Sequence, residues 1–299
     1  MINLLHVENY TVNTSQFSPL LNDKIVQQFE EDVCDFVGAK YACSIHSATM
    51  AIFFSLLEKE KQIIDIPSIM PPVVPNAIIT SGHSVNFVDD IDWVGSSYIL
   101  KDFGSYKIID SAQQLDRNQF MNQANDEDLM IFSFYPTKPV GGLDEKIDRL
   151  KVLSRYGMSL ADNSWERKLL LPGWKMYMNS VQCYIAHQNL LRLEQKQKRF
   201  DEIRSVYNSE FGANNVSRHL YRLNVEDNTA FLDIAKQKGI QCGIHYKALH
   251  LNDIYKSTHL SLAKSEKHHH TTISIPFHEK LTDEQVYYII KEIKPYVIA

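Results

Sequence analysis

The sequence predicts an α/β protein with a mostly parallel sheet, and three observations predict it. Short apolar runs bounded by turn residues alternate with stretches of helical spacing along most of the chain. Polar residues capable of chemistry fall just after several of those runs, where ligands gather in open α/β sheets. One such run passes straight into small hydroxylated residues and then a helix, in HSATMAIFFSLL.

Composition sets the frame. The chain has 299 residues, 44% hydrophobic and 22% charged, with a net charge of -5. That length buries a sizeable core, and the acidic balance offers no footing for nucleic acid. Cys34, Cys43, Cys183 and Cys242 are scattered singly, so they read as buried thiols rather than as disulfides or metal ligands. No run of eighteen apolar residues and no basic leader occurs, so the expectation is a cytoplasmic protein with no membrane partner and no metal.

Residues 1 to 21 are polar and aperiodic. From Asn22, the spacing of Ile25, Phe29, Val33 and Phe36 predicts a helix that Gly38 stops. Tyr41 to Ile45 reads as a strand leading into a helix that Ser47 or Thr49 can cap, a geometry that also favours an anion. Ile63 to Ile66 and Val85 to Val88 read as strands around a proline-started helix, Pro71 to Ser81. Tyr98 to Leu100, Tyr106 to Ile109 and Leu129 to Phe134 read as further strands. Met178 to Phe211 reads as one helix with Leu190, Leu193 and Phe200 inward and KQKRFDEIR facing water. The remainder alternates again: a strand at Leu220 to Val225, a helix from Thr229 to Lys238, strands at Ile244 to Tyr246 and Thr272 to Pro276, and a closing helix from Thr282 to Tyr296. His268, His269 and His270 read as an exposed polar lead into a strand, with alternating faces.

Three residues at predicted strand or helix ends then form a set. Asp110, in IIDSAQQL, is either a turn residue or a carboxylate that holds a protonated ring nitrogen, with Gln113 offering an amide to a neighbouring oxygen. Lys138, in FSFYPTKPVGG, follows a buried run. A lone loop lysine is ordinarily solvated, but one desolvated at a strand end has a lowered pKa and can attack a carbonyl. With the helix start at Ser47, the set matches the phosphate, pyridine nitrogen and aldehyde of pyridoxal 5'-phosphate.

These residues resemble the motifs of the DegT/DnrJ/EryC1/StrS family. Ser47, Ala48 and Thr49 stand for its S-G-T, Asp110 to Gln113 for its D-x-A-Q, and Ser133 to Lys138 for its S-F-x-x-x-K. VDDIDWVGSSY, GWKMYMNSVQ, GIQCGIHYKALH and SIPFHEKLTDEQV follow as later landmarks in order. The resemblance implies a fold-type I pyridoxal-phosphate transferase: a large domain, 1–205, with a mostly parallel central sheet flanked by helices, and a smaller C-terminal α+β domain, 206–299. It implies an aminotransferase moving nitrogen from glutamate or glutamine to a keto-sugar nucleotide, with Lys138 as the Schiff-base lysine and Ser133 as a phosphate ligand. It implies a homodimer with a shared site, and places His245, Tyr246 and His250 on the substrate-facing loop.

The chain departs from the pattern at several points. Met70 and Pro71 stand where the family stacks an aromatic on the pyridine ring. Lys175 replaces an asparagine that reaches the partner subunit's phosphate, keeping a positive point charge but not the geometry. The chain is short for the family, compact between Val88 and Ile109, and passes from GGLDEKID straight to a helix. Two other readings follow: a non-catalytic relative serving binding or assembly, and a cofactor-dependent sugar dehydratase, against which Lys138 argues because such members carry histidine there.

Overall fold

The computed structural model describes residues 1–17, 24–134, 147–155, 157–159, 167–255 and 261–298. Lys138 lies outside the described residues.

Helix α1, Lys24–Val37, buries Phe29, Val33 and Phe36 of the expected stripe, with Val26 buried and Ile25 half-buried, and packs on α6, Ser180–Leu191. The segment 41–45 does not form the expected strand. Its backbone bonds go elsewhere: the Glu30 carboxylate accepts from Ser44 N and Oγ, both at 2.7 Å, and Ile45 makes only a bridge to Tyr177. Helix α2, Ala48–Leu56, follows at once, then β1, Ile63–Pro67, α3, Val73–Thr80, and β2, Ser84–Val88. β1 and β2 pair in parallel, as a strand, helix, strand unit requires.

The next sheet is mixed, in the order β3-β4-β5. β4, Lys107–Asp110, pairs in parallel with β5, Leu129–Ile131, and antiparallel with β3, Tyr98–Asp102. A tight turn between Asp102 and Lys107 joins β3 to β4, which dictates the antiparallel sense. Short α4, Gln119–Gln123, precedes β5, and α5, Ile147–Ser154, comes before the 167–178 segment.

The expected single helix from Met178 is two. α6 and α7, Leu193–Phe211, meet at Arg192, whose φ of -104° and ψ of 0° break the helical run. α7 crosses the 205/206 division: Leu193 packs in a core with α1 and β5, whereas Ile203 and Tyr207 belong to a separate core of C-terminal residues. That core lies on an antiparallel sheet, β7-β6-β8, built from β6, Tyr221–Val225, β7, Thr272–Ile275, and β8, Val297–Ile298. Helices α8, Asn228–Gln237, and α10, Asp283–Ile293, cover it, the latter opened by a Thr282–Gln285 capping box.

Two further expectations are corrected here. Residues 244–246 are not a strand; the local pairing is a bridge between Gly243 and Ser274. The three histidines are not an exposed strand lead but the last turn of α9, Ala263–Thr271, where His268 is buried. Burial, then the nearby Arg222 charge, lowers the His268 pKa to about 4.

Candidate active site

The carboxyl ends of β4 and β5 bring the central residues together. Asp110 is the register partner of Ile131, and Ser111 N donates to Ile131 O at 2.6 Å, so Asp110 and Ser133 emerge from adjacent parallel strand ends. This is the edge at which open α/β sheets bind ligands. Asp110 is buried, 4% exposed. Its Oδ1 accepts from Ala112 N at 2.9 Å and its Oδ2 from the Tyr98 hydroxyl at 2.9 Å. Gln113, also buried, accepts from Gly95 N through Oε1 at 3.0 Å, which leaves its amide NH2 directed at the Tyr246 hydroxyl, 3.4 Å away. Burial, then the Asp110 charge, pushes the Tyr246 hydroxyl well above its usual pKa.

Ser47 is the N-cap of α2, accepting from Met50 N at 3.3 Å. The turn before it is held by His46 N donating to Met176 O at 2.8 Å, so the Gly173–Tyr177 stretch backs the helix start. A cavity of ≈ 900 Å³ opens beside this turn. Ser47 and Ala48, Gln113 and Ser133 line it, together with Gln182 and Asn189 of α6, Lys196 of α7, and Arg218. Its outer wall is the N-terminal arm, including Glu8 and Tyr10. Burial would raise the Glu8 carboxyl, but hydrogen bonds from Lys196 and Tyr10 outweigh it and bring the pKa down to about 2.

The remaining expected residues stand apart from that lining. Thr49 is half-buried in the first turn of α2, and Met70 is fully buried in the core beside half-buried Pro71. Lys175 is exposed and bridged to Arg155. Nδ1 of His245 lies 3.0 Å from Ser274 Oγ, and Nδ1 of His250 lies 2.6 Å from the fully buried Ser68 Oγ. Tyr246 reaches the Asp110–Gln113 group through the Gln113 amide. The sequence reading missed Tyr98, Gly95 and the arm. A polar, aperiodic arm carries no pattern, and Tyr98 counted only as a strand former.

The fold matches solved aminotransferases. TlmJ of Streptoalloteichus hindustanus superposes with a TM-score of 0.81 at 19% identity, over 99% of this chain and 98% of the other. PseC of Helicobacter pylori, an aminotransferase involved in the biosynthesis of pseudoaminic acid, gives a TM-score of 0.75 at 17% identity, over 97% and 98%. The fold is therefore the one that these aminotransferases share.

The sequence comparison is more specific. The profile of the DegT/DnrJ/EryC1/StrS aminotransferase family matches residues 9–94 and 108–294, and the chain belongs to that family. A UDP-4-amino-4,6-dideoxy-N-acetyl-beta-L-altrosamine transaminase of Campylobacter jejuni is 25% identical, over 88% of this chain and 87% of its own length. The spore coat polysaccharide biosynthesis protein SpsC of Bacillus subtilis is 25% identical, over 91% and 89%. The Campylobacter alignment spans 333 positions against the 299 residues here, so that relative carries segments this chain lacks.

The family implies pyridoxal phosphate, and the described residues fit it. The cavity is of small-molecule size. It joins a capped helix start and the Ser47 and Ser133 hydroxyls, suited to a phosphate, to an amide donor at Gln113. The buried Asp110 carboxylate at the adjoining strand end suits a pyridinium nitrogen.

Proposed function

We propose that this chain is a pyridoxal-phosphate-dependent aminotransferase moving an amino group from glutamate or glutamine to a keto-sugar carried on a nucleotide, in surface-polysaccharide or amino-sugar biosynthesis. The observation that carries the reading is the grouping of Ser47, Gln113 and Ser133 around one cavity, with Asp110 at the adjoining strand end, in a chain of this family. The names of the Campylobacter and Bacillus relatives support the sugar substrate class.

Bound at this site, the cofactor supplies an electron sink for the donor's α-carbon. Ser47, Ala48, Thr49 and Ser133 hold its phosphate in this reading, aided by Lys175 from a partner subunit in a homodimer. Met70 and Pro71 bound the ring face. Asp110 keeps the pyridine nitrogen protonated, and Gln113 donates its NH2 to the neighbouring ring oxygen. Lys138 would hold the cofactor covalently, and its Nζ would take a proton from the donor's α-carbon and return one to the sugar carbon that gains nitrogen. His245, Tyr246 and His250 face the sugar substrate. The division into domains 1–205 and 206–299, and a cytoplasmic location, belong to the same reading.

The test is a panel of nucleotide-linked keto-sugars incubated with the cofactor-loaded protein and glutamate or glutamine, with products read by mass spectrometry. An aminated sugar is expected, lost in Lys138→Ala. Turnover that survives Lys138→Ala, or no amination of any keto-sugar, overturns the reading.

A further inference from the structure

The family profile stops at residue 94 and resumes at 108. The skipped segment is not peripheral: it contains β3, which pairs with β4 so that Tyr98 faces Asp110 directly across the ladder. Two contacts pass from it to the D-x-A-Q stretch and a third to the next residue. Tyr98 donates its hydroxyl to Asp110 Oδ2 at 2.9 Å, Gly95 N donates to Gln113 Oε1 at 3.0 Å, and Ser97 N donates to Gln114 Oε1 at 3.1 Å.

The Asp110 contact has a specific geometric effect. Ala112 N holds Oδ1 and the Tyr98 hydroxyl holds Oδ2, so the two oxygens are tethered separately and the carboxylate plane is fixed. Tyr98 is itself braced. Its ring packs edge-on against Trp93, with centroids 4.8 Å apart, and Trp93 Nε1 donates to Ile69 O at 2.9 Å. Tyr246 also interacts electrostatically with Asp110, and with Arg222. Burial, then the Asp110 charge, raises the Tyr98 pKa well above its usual value, so the phenol stays protonated and remains a donor.

We propose that Tyr98, from the segment between the two stretches that the family profile matches, is a positioning residue for cofactor binding that acts through Asp110. The proposal rests on the functional reading above: the tethered carboxylate meets the pyridinium in one orientation, without ordering at the moment of binding.

The experiment is a double-mutant cycle on the affinity of the cofactor-free protein for pyridoxal phosphate, read by quenching of tryptophan fluorescence in wild type, Tyr98→Phe, Asp110→Asn and the double variant. Tyr98→Phe keeps the ring against Trp93 and removes one oxygen. The folded fraction of each variant is measured by circular dichroism and the midpoint corrected for it, because unfolded protein raises the apparent Kd. Loss of a hydrogen bond to a charged group is expected to weaken binding about tenfold when Asp110 is present. In the Asp110→Asn background Tyr98→Phe should change affinity by less than about twofold. Wild-type affinity in Tyr98→Phe, or an equal loss in both backgrounds as a purely structural role would give, overturns the proposal. Failure of the wild type to bind pyridoxal phosphate would instead overturn the functional reading.

Discussion

Gly95 lies where two requirements meet, and Gly95→Ala tests both. Its φ of +91° is a conformation that L residues with a β-carbon avoid, and a Cβ built there would sit 2.3 Å from Ser217 Oγ and 2.4 Å from Ser217 Cβ. Ser217 cannot yield freely. It is 5% exposed, and its Oγ accepts from His219 N at 2.9 Å and from Leu220 N at 3.1 Å, starting the chain into β6. The left-handed backbone costs about 1–2 kcal/mol for a residue with a β-carbon, and each hydrogen bond lost by a displaced Ser217 costs about 0.5–1.5 kcal/mol. Gly95→Ala should therefore lower the unfolding free energy by about 2–5 kcal/mol, measured by urea unfolding with linear extrapolation. Adding Ser217→Gly removes the clash but also the Oγ that accepts both bonds, and it leaves the backbone strain, so the double variant should not recover the loss. A Gly95→Ala protein within about 0.5 kcal/mol of wild type, the range of an ordinary surface substitution, would refute the reasoning.

Two further predictions concern buried charge. Glu30, 8% exposed, accepts from Ser44 N and Oγ and pairs with Lys151 Nζ at 3.0 Å. Glu30→Ala should destabilise by about 3 kcal/mol because it strands a half-buried ammonium and a buried N–H, whereas Glu30→Gln should keep an acceptor for Ser44 and lose less; equal urea midpoints for Glu30→Ala and wild type would refute this. His268 has its pKa lowered from 6.5 to about 4 in the fold, so the unfolded chain takes the proton first and stability falls as pH drops from 6.5 toward 4. His268→Gln should flatten that part of the profile, and parallel pH profiles for the two proteins would refute the assignment.

What could be read from the sequence depended on whether the signal was local. In α1, Ile25, Phe29, Val33 and Phe36 are apolar at helical spacing and announce the helix. α9 has a buried stripe too, Leu262, Ser265 and His268 at the same spacing, but two of the three are polar and a hydrophobic period cannot register them. Residues 41–45 have strand composition, yet Glu30 and residues 176–178 take their backbone groups, and partners that distant leave no local trace. The site divides in the same way. Ser47, Asp110, Gln113 and Ser133 are legible because each follows an apolar run or opens a helix within its own motif. Tyr98 and Gly95, which hold two of them, act across a ladder or from a separate loop, which no spacing encodes.

That division bears on how so short a chain keeps a site of this kind. Without β3, the edge of β4 away from β5 would expose unpaired N–H and C=O groups beside a buried carboxylate, an arrangement that costs stability and invites foreign pairing. β3 pairs that edge from Tyr98 to Asp102 and returns through a tight turn, so one brief hairpin satisfies the backbone. The same register sets a phenol opposite Asp110 and brings Gly95 within reach of Gln113. A single compact element thus closes the sheet and orients the D-x-A-Q residues. A change at Tyr98 or Gly95 therefore reaches Asp110 or Gln113, although the family profile passes over that segment.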